Sequence, residues 1–286
     1  MATPIGNLED ITLRALRILR EVAIVAAEDT RRTRKLLAHH GIPARVMSVH
    51  EHNERGRAPE LIARLLAGES IALVADAGTP ALSDPGVDLV RHVAEAGIPV
   101  VPLPGPSAFI AALVASGLPS APVTFLGFLP AAHGERGRAL AAVRTLEHTL
   151  VIYEAPHRLL KTLRALLENL GDRRVAVARE LTKIHEEVFR GGLREALQHF
   201  TEHPPRGEFT LVVAGAPAER GEAPSAKTTP DADDPKTGEA ARAVLRDALK
   251  EGVAPFEAVR RAAQATGLRR NAVYRMWLAI KQEAAR

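Results

Sequence analysis

Residues 73–90 read LVADAGTPALSDPGVDLV, and this stretch decides the fold class. It starts as an apolar strand, turns through a Gly-Thr-Pro corner and continues as a helix. A parallel strand that ends in such a corner places it at the carboxyl edge of its sheet, where open α/β sheets bind ligands. Gly78 lets the backbone approach a ligand closely, and Pro80 stiffens the corner. The alternative is an ordinary helix start that Ser83 or Asp84 caps.

Two further strand-to-helix corners have the same polar, glycine-bearing composition. ATPIGNLEDI (2–11) places Gly6 before a helix, and VVPLPGPSAFIAAL (100–113) does the same with Gly105 and Ser107. Three such corners in one domain predict one shared pocket. Neither phosphate-binding pattern, G-x-x-x-x-G-K-[ST] or G-x-G-x-x-G, occurs, which argues against kinases, P-loop ATPases and nicotinamide enzymes. We therefore expect a ligand that backbone groups recognise.

The first 115 residues alternate short apolar runs with helix-period segments and form a predicted N-terminal domain (1–115). The predicted helices are 12–20, 31–39, 54–67, 87–96 and 107–115, and the predicted strands are 22–27, 45–49, 70–77 and 98–103. This alternation predicts a largely parallel sheet covered by helices on both faces. The stretch SGLPSAP (116–122), with a glycine and two prolines, predicts a connection between domains.

A second alternating block predicts another α/β domain at residues 123–217. Its predicted strands are 123–128, 149–154, 174–180, 185–191 and 208–215, and its predicted helices are 135–146, 158–170 and 193–200. Strands that follow one another without a helix predict some antiparallel pairing. The polar stretch 218–237 has no periodicity and predicts a flexible linker, after which residues 238–286 return to a helical pattern.

Composition limits the possible classes of protein. The chain has 286 residues, 46% hydrophobic and 25% charged, which is enough for two domains with hydrophobic cores. It contains no cysteine, which excludes disulfides, thiolate catalysis and cysteine metal sites. Neither a membrane-spanning apolar run nor a signal peptide occurs, so we expect a cytoplasmic protein without a membrane anchor. The His-Glu pairs at 50–54 and 184–189 lack zinc-site spacing, and no metal is expected.

Positive charge is concentrated in the last segment of the chain. The formal charge is +1 over residues 1–217, −2 over 218–237 and +5 over 238–286. A basic segment behind a nearly neutral body indicates a polyanionic partner, although a solvated helix surface is the alternative.

Apolar spacing within residues 254–280 predicts two helices joined by a tight turn at Gly267. The first is predicted to bury Phe256, Val259, Ala263 and Leu268, and the second Val273, Trp277 and Ile280. This arrangement is a helix-turn-helix, whose basic side chains Arg269, Arg270 and Arg275 are predicted to contact the polyanion. The alternative is a small helical cap or a dimer contact.

Seven motifs occur in order between residue 2 and about 215: TPIGNLEDIT, AAEDTRRT, DAGTPALSDPG, PLPGPSA, GFLP, YEAPHR and ARELTKIHEE. Together they resemble the small-subunit ribosomal RNA methyltransferases of the tetrapyrrole methylase family. The resemblance implies two α/β domains with S-adenosylmethionine in the cleft between them, a homodimer, and methylation of a cytidine 2′-hydroxyl in the decoding centre of 16S ribosomal RNA. This cofactor has no phosphate, which fits the missing phosphate clamp. Such chains begin with a short apolar strand, whereas only Met1 and Ala2 precede Thr3 here. Either this strand is missing or the natural start lies upstream, and we expect the second.

The resemblance also implies roles for individual residues. The expected cofactor-binding residues are Gly6, Gly78, Thr79, Pro80, Ser83, Gly105, Ser107, Tyr153 and Ala155. The expected contacts with RNA in the body are Arg31, Arg32, His157 and Arg158. To these the helix-turn-helix pattern and the charge of the tail, which lies outside the resemblance, add Arg269, Arg270 and Arg275.

Methyl transfer to an oxygen needs alignment of the hydroxyl group and an acceptor for its proton. Asp29, Glu154 and Lys183 are the candidate acceptors, and the sequence leaves the choice among them open. For each a structural role is the alternative: Asp29 as the start of a basic helix, Glu154 in an ion pair with Arg158, and Lys183 in an ion pair with Glu180.

Two rival functions share part of this pattern. A tetrapyrrole methyltransferase shares the fold and the cofactor, but a single porphyrinoid has no need of a detachable basic module. A nucleic-acid binder that acts through the tail has no need of three ligand-binding corners. Both therefore remain alternatives to ribosomal RNA methylation.

Overall fold

The structure is a computed structural model that describes residues 1–217, 235–250, 253–268 and 270–283. The chain divides into two compact units, Met1–Pro217 and Ala218–Arg286. The predicted linker lies outside the described residues except for its last three.

Three parallel strands form the first sheet in the described part of the chain, in the order β2-β1-β3. The strands are β1 (Ile24–Ala27), β2 (Val46–Ser48) and β3 (Ile71–Val74), and the helices around them are α1 (Leu13–Glu21), α2 (Thr30–His39), α3 (Glu54–Leu66) and α4 (Val87–Glu95).

Strand β1 is buried along its whole length because helices cover both of its faces. Val25 and Ala27 pack in one cluster with residues of α1 and α2, whereas Ala26 packs with residues of α3 and α4. This alternation follows from the two-residue period of a strand. The predicted parallel sheet covered on both faces is confirmed.

Segment 98–103, predicted as a strand, is not one. Four prolines between residues 99 and 106 remove N–H donors that a sheet ladder needs. The carbonyl oxygen of Leu103 accepts a hydrogen bond from the N–H of Ala2 (3.3 Å), while Val101 is exposed. The apolar run thus resembled a buried strand, but its backbone cannot form a regular ladder.

The second sheet has five strands in the order β4-β5-β8-β6-β7. They are β4 (Val123–Phe128), β5 (Thr149–Glu154), β6 (Arg174–Arg179), β7 (Glu187–Gly192) and β8 (Phe209–Val213). Only β4 and β5 pair in parallel, and the other three pairings are antiparallel, so the predicted antiparallel component is confirmed.

Helices cover both faces of this sheet as well. Residues of α6 (His133–Val143), α7 (Leu159–Leu170) and α8 (Leu193–Glu202) form the larger core cluster on one face. Helix α5 (Ala108–Ser116) covers the other face through Ala112 and Leu113. The predicted N-terminal domain therefore contributes its last helix to the second sheet, and this brings the third corner beside β5.

The second unit consists of three helices within its described residues: α9 (Pro235–Lys250), α10 (Pro255–Thr266) and α11 (Arg270–Glu283). Gly267, with φ of +73°, ends α10, and Val273, Trp277 and Ile280 are buried as predicted.

The predicted burial of Phe256 is wrong, since its exposure is 75%. The buried face of α10 consists of Ala258, Val259 and Ala262. Successive helical residues turn by about 100°, so Phe256 lies beside this face. None of the described helices has the length and apolar character needed to cross a bilayer.

Candidate functional site

The three glycine-bearing corners meet at a cavity of about 520 Å³ beside the ends of β5 and β8. Ile5 comes from the first corner, Gly78 and Thr79 from the second, and Ser107 from the third. The volume lies within the range of small-molecule sites. We call this space the donor cavity.

Backbone hydrogen bonds hold the first two corners together. The N–H of Thr3 donates to the carbonyl oxygen of Gly78, and the N–H of Gly78 donates to the carbonyl oxygen of Thr3, both at 2.9 Å. Gly78 has φ of +78°, a conformation that costs glycine little. A Cβ at this position would lie 3.4 Å from Cγ2 of Ile5, so a side chain here would enter the junction of the corners.

The loop between β3 and α4 is strained. Ala81 and Ser83 have φ of 67° and 66°, a region that non-glycine residues seldom occupy and that clusters at functional sites. The capping interpretation for this loop is wrong. Gly86 occupies the N-cap position of α4, and the buried carboxylate of Glu54 accepts hydrogen bonds from the N–H groups of Gly86 (3.2 Å) and Leu89 (2.6 Å).

The side chain of Asp84 consequently does not cap α4. Its carboxyl group lies in the wall of the donor cavity and has no hydrogen-bond or ion-pair partner among the described residues. Burial and the nearby carboxylates of Glu28 and Asp76 raise its pKa to about 7. Burial and the charge of Asp76 also raise the pKa of Glu28.

Asp29 occupies the N-cap position of α2, and Arg31 engages its carboxylate. Its oxygens accept hydrogen bonds from the backbone N–H (2.8 Å), Nε (3.1 Å) and Nη2 (2.8 Å) of Arg31. These bonds lower the pKa of Asp29 to about 2. Its own N–H donates to Oδ1 of Asp76 (2.8 Å). Asp29 therefore positions Asp76 and is a weak proton acceptor.

Glu154 is 2% exposed and forms the ion pair with Arg158 that the sequence left as an alternative, at 3.2 Å. Its carboxylate also accepts hydrogen bonds from the hydroxyl of Thr162 and the N–H of Ala155. Arg158 in turn donates to the carbonyl oxygen of Leu129. These contacts fix the turn after β5.

Lys183 forms two ion pairs, with Glu180 (2.8 Å) and Glu208 (2.9 Å). Burial alone would lower its pKa, but the hydrogen bonds to both carboxylates outweigh burial and raise the pKa. Lys183 thus holds its proton. A Cβ on Gly6 would lie 2.4 Å from Cγ of Lys183, so the first corner packs directly on this side chain.

Tyr153 and Phe128 contribute an aromatic wall to the donor cavity. The hydroxyl of Tyr153 accepts a hydrogen bond from the N–H of Phe109 (3.1 Å), which fixes the ring. The ring centroid of Tyr153 lies 5.0 Å from that of Phe125 and 5.7 Å from that of Phe128. About half of the surface of Phe128 is exposed to solvent. Such a wall can stack against a planar ring.

The predicted site residues fall into groups. The predicted cofactor residues in the cavity wall are Gly78, Thr79, Ser83, Ser107, Tyr153 and Ala155. Gly6, Pro80 and Gly105 are not wall residues, and Gly105 packs against Ala2 instead.

Among the predicted RNA contacts, Arg32 and His157 lie in the cavity wall. All three arginines of the body pair with carboxylates: Arg32 with Asp76 (3.5 Å), Arg31 with Asp29 and Arg158 with Glu154. In the tail, Arg275 is exposed. Arg269 and the side chain of Arg270 lie outside the described part of the chain.

Sequence reasoning missed Asp76, Phe128 and Glu208 as wall residues, and it missed the proximity of Glu28 to Asp84. The sequence pattern could have indicated two of these residues, Glu28 and Asp76. Glu28 follows β1 directly and Asp76 follows β3 by one residue, and the carboxyl ends of neighbouring parallel strands meet at one edge of a sheet.

A second cavity, of about 720 Å³, adjoins the donor cavity. The two share Glu28, Ser83 and Asp84. Its other walls come from the segment before α3, with His50, and from the start of α4. We call this space the side cavity.

Comparison with known proteins places this fold and these motifs in a family. Residues 2–197 match the family model "Tetrapyrrole (Corrin/Porphyrin) Methylases", and residues 235–281 match "RsmI C-terminal HTH domain". The predicted fold class and the helix-turn-helix segment are confirmed by these matches.

Curated relatives from several bacteria carry the name "Ribosomal RNA small subunit methyltransferase I". The relative from Synechocystis sp. is 45% identical over 99% of this chain and 98% of its own length. The one from Halalkalibacterium halodurans is 50% identical over 75% of this chain and 74% of its own length. The one from Thermotoga maritima is 47% identical over 75% of this chain and 96% of its own length.

Solved structures share the fold at lower identity. Uroporphyrin-III-C-methyltransferase from Thermus thermophilus is 23% identical with a TM-score of 0.53, covering 74% of this chain and 91% of that one. The methyltransferase CobJ is 18% identical with a TM-score of 0.57, covering 75% and 92%. From its motifs, its fold and these relatives, the chain belongs to the tetrapyrrole methylase family and, within it, to the family of ribosomal RNA small subunit methyltransferase I.

Proposed function

We propose that this protein transfers a methyl group from S-adenosylmethionine to the ribose 2′-hydroxyl of a cytidine in the decoding centre of 16S ribosomal RNA. The observation that carries the proposal is the donor cavity, which three corners and an aromatic wall enclose beside a set of carboxylates. The names of the relatives support ribosomal RNA as the methyl acceptor.

The residues of the donor cavity fit S-adenosylmethionine. This cofactor supplies an electrophilic methyl group on a positively charged sulfur. The carboxylates of Glu28 and Asp76 would stabilise positive charge, and Tyr153 and Phe128 would stack against an adenine. Backbone groups of the corners would hold the remaining polar atoms, which agrees with the absence of a phosphate clamp.

The charge distribution fits an RNA substrate. Residues 238–286 carry +5, and Arg275 is exposed on α11. Arg32 and His157 lie in the wall of the donor cavity, where they would contact the RNA backbone next to the acceptor nucleotide. A tetrapyrrole acceptor would explain the cavity but not the basic segment.

Transfer of a labelled methyl group tests the proposal. The substrates are small subunits from cells that lack the protein, small subunits from normal cells, and a porphyrinoid. We expect label only in the first, recovered as 2′-O-methylcytidine after digestion to nucleosides. Label in the porphyrinoid, or on a nucleobase, would contradict the proposal.

The homodimer that the family resemblance implies and the cytoplasmic location that the composition predicts stay predictions. Sedimentation equilibrium of the purified chain tests the first, and cell fractionation tests the second.

A further inference from the structure

Asp84 lies where the donor cavity and the side cavity meet. The two spaces have Glu28, Ser83 and Asp84 in common, and Asp84 belongs to the strained loop that separates β3 from α4. Methyl transfer needs the donor and the attacking hydroxyl on opposite sides of the transferred carbon. A carboxyl group between two adjoining cavities is therefore well placed to meet the hydroxyl as it attacks.

The other carboxyl groups of the two cavities are already engaged. Among the carboxyl groups of described residues in either wall, that of Asp84 alone has no hydrogen-bond or ion-pair partner. Its neighbours all have one: Glu28 and Asp76 bond to backbone N–H groups, Glu51 pairs with His52, Glu54 caps α4, Asp88 pairs with Arg91, Glu154 bonds to Thr162, and Glu208 pairs with Lys183.

The loop holds Asp84 in place without using its side chain. Glu54 caps α4 from another helix, and the left-handed residues Ala81 and Ser83 set the path of the backbone before Asp84. An unpaired, half-buried carboxyl group is costly for stability, and such a group on a strained loop is typical of a functional site.

We propose that Asp84 accepts the proton of the attacking ribose hydroxyl, which approaches from the side cavity. This inference rests on the proposed function. The hydroxyl oxygen forms the new bond to the methyl carbon while the carbon–sulfur bond breaks and its electron pair stays on sulfur. The hydroxyl proton passes to the Asp84 carboxylate, which later releases it to water.

The electrostatic surroundings of Asp84 agree with this role. Burial and the charges of Glu28 and Asp76 raise its pKa to about 7, which makes it a stronger base than an ordinary aspartate. The titratable and charged groups in the walls of the two cavities come from every neighbouring element. They are Glu28 after β1, Arg32 on α2, Asp76 after β3, His50, Glu51 and His52 before α3, Glu54 on α3, Asp88 on α4, Tyr153 and Glu154 on β5, His157 after β5, and Glu208 before β8.

A titration of the protein without donor or RNA provides a test that does not depend on activity. With carboxyl-¹³C-labelled aspartate, NMR should detect one aspartate whose midpoint lies near pH 7, and Asp84→Asn should remove that signal. Asp172→Asn is the matched control, because Asp172 is a partly exposed aspartate paired with Arg194 outside both cavities. A midpoint below about 5 for Asp84 would overturn the proposal.

Single-turnover methyl transfer to small subunits tests the role itself. Asp84→Asn should keep S-adenosylmethionine affinity within about threefold by calorimetry but slow transfer by roughly 10²-fold or more. The rate of methyl transfer by the wild-type protein should rise with pH up to about 7, and the rate of Asp84→Asn should not show this rise. Asp84→Glu should recover part of the activity that Asp84→Asn loses.

The two hypotheses can fail separately. If the wild-type protein transfers no methyl group to small subunits, the proposed function fails, whatever the midpoint of Asp84. If the wild-type protein is active and Asp84→Asn transfers at a similar rate, the proposal for Asp84 is overturned alone. Asp172→Asn should match the wild type in every assay.

Discussion

Replacing Gly78 with alanine tests whether the second corner holds the methyl donor. Gly78 has φ of +78°, and an L-residue adopts this conformation at a cost of about 1–2 kcal/mol. A Cβ there would lie 3.4 Å from Cγ2 of Ile5 and 3.9 Å from the carbonyl oxygen of Pro106, which are ordinary contact distances. The cost of the substitution is therefore backbone strain and not a clash with these neighbours.

This strain can be relieved if the corner relaxes when no donor is bound. Binding of the donor must then restore the original conformation. A binding free energy that is less favourable by about 1–2 kcal/mol raises the dissociation constant by about 5- to 30-fold. Relaxation would also weaken the two hydrogen bonds between Gly78 and Thr3, which join the first corner to the second. Valine at this position adds a branched side chain and should abolish binding.

Calorimetric titration with S-adenosylmethionine measures the effect, and Gly97→Ala is the control. Gly97 has φ of +72°, a Cβ there would meet no atom within 4 Å, and it lies outside the donor cavity. Gly97→Ala should lose about 1–2 kcal/mol of stability and Gly78→Ala no more than this, but only Gly78→Ala should lose affinity. Equal affinity of the two folded variants would refute the placement of the donor at this corner.

Three further predictions concern the tail, the helix cap and Asp84. Deleting residues 238–286 should leave donor affinity unchanged, because unit Met1–Pro217 contains the whole donor cavity. The same deletion should make the salt dependence of RNA binding shallower by about three to five counterions. An unchanged salt slope would contradict RNA contact by the tail. Glu54→Gln should lower the free energy of unfolding, measured in urea, by about 1–3 kcal/mol, because two N–H groups at the start of α4 lose a charged acceptor. An unchanged urea midpoint of unfolding would contradict this. Asp84→Asn should stabilise the protein at pH 8 and much less at pH 4. Between pH 4 and pH 8, a carboxyl group whose folded pKa is about 7 binds more protons in the folded than in the unfolded state, so its presence costs stability as the pH rises. Thermal unfolding at both pH values checks the sign.

Local sequence predicted much of the two sheets. The run at β1 is apolar at every position because helices cover both of its faces, and the helix periods on either side show where those helices lie. The corner at Gly78 was equally visible, since a glycine between a strand and a helix marks a conformation that other residues avoid. These features depend on neighbours within a few residues of the chain.

The errors arose where a local pattern had more than one structural meaning. The apolar run 98–103 looked like a strand, but its prolines prevent a regular ladder. Ser83 and Asp84 looked like helix caps because they precede a helix, while the actual cap comes from Glu54, about 30 residues earlier in the chain. Phe256 has suitable spacing but lies beside the buried face of its helix.

The fold class, the three corners and the family can be recognised without a structure, because contiguous motifs encode them. The pairing of the ionisable groups at the site, by contrast, depends on how the chain folds in space. Asp29 is held by Arg31, Lys183 by Glu208 from a distant segment, and Glu154 lies buried in its ion pair. Asp84 has no partner within the described part of the chain, and its pKa is raised by burial and by the carboxylates of Glu28 and Asp76, which follow β1 and β3. The physical reason is that burial and charge separation are distances in three dimensions, and local sequence does not specify them.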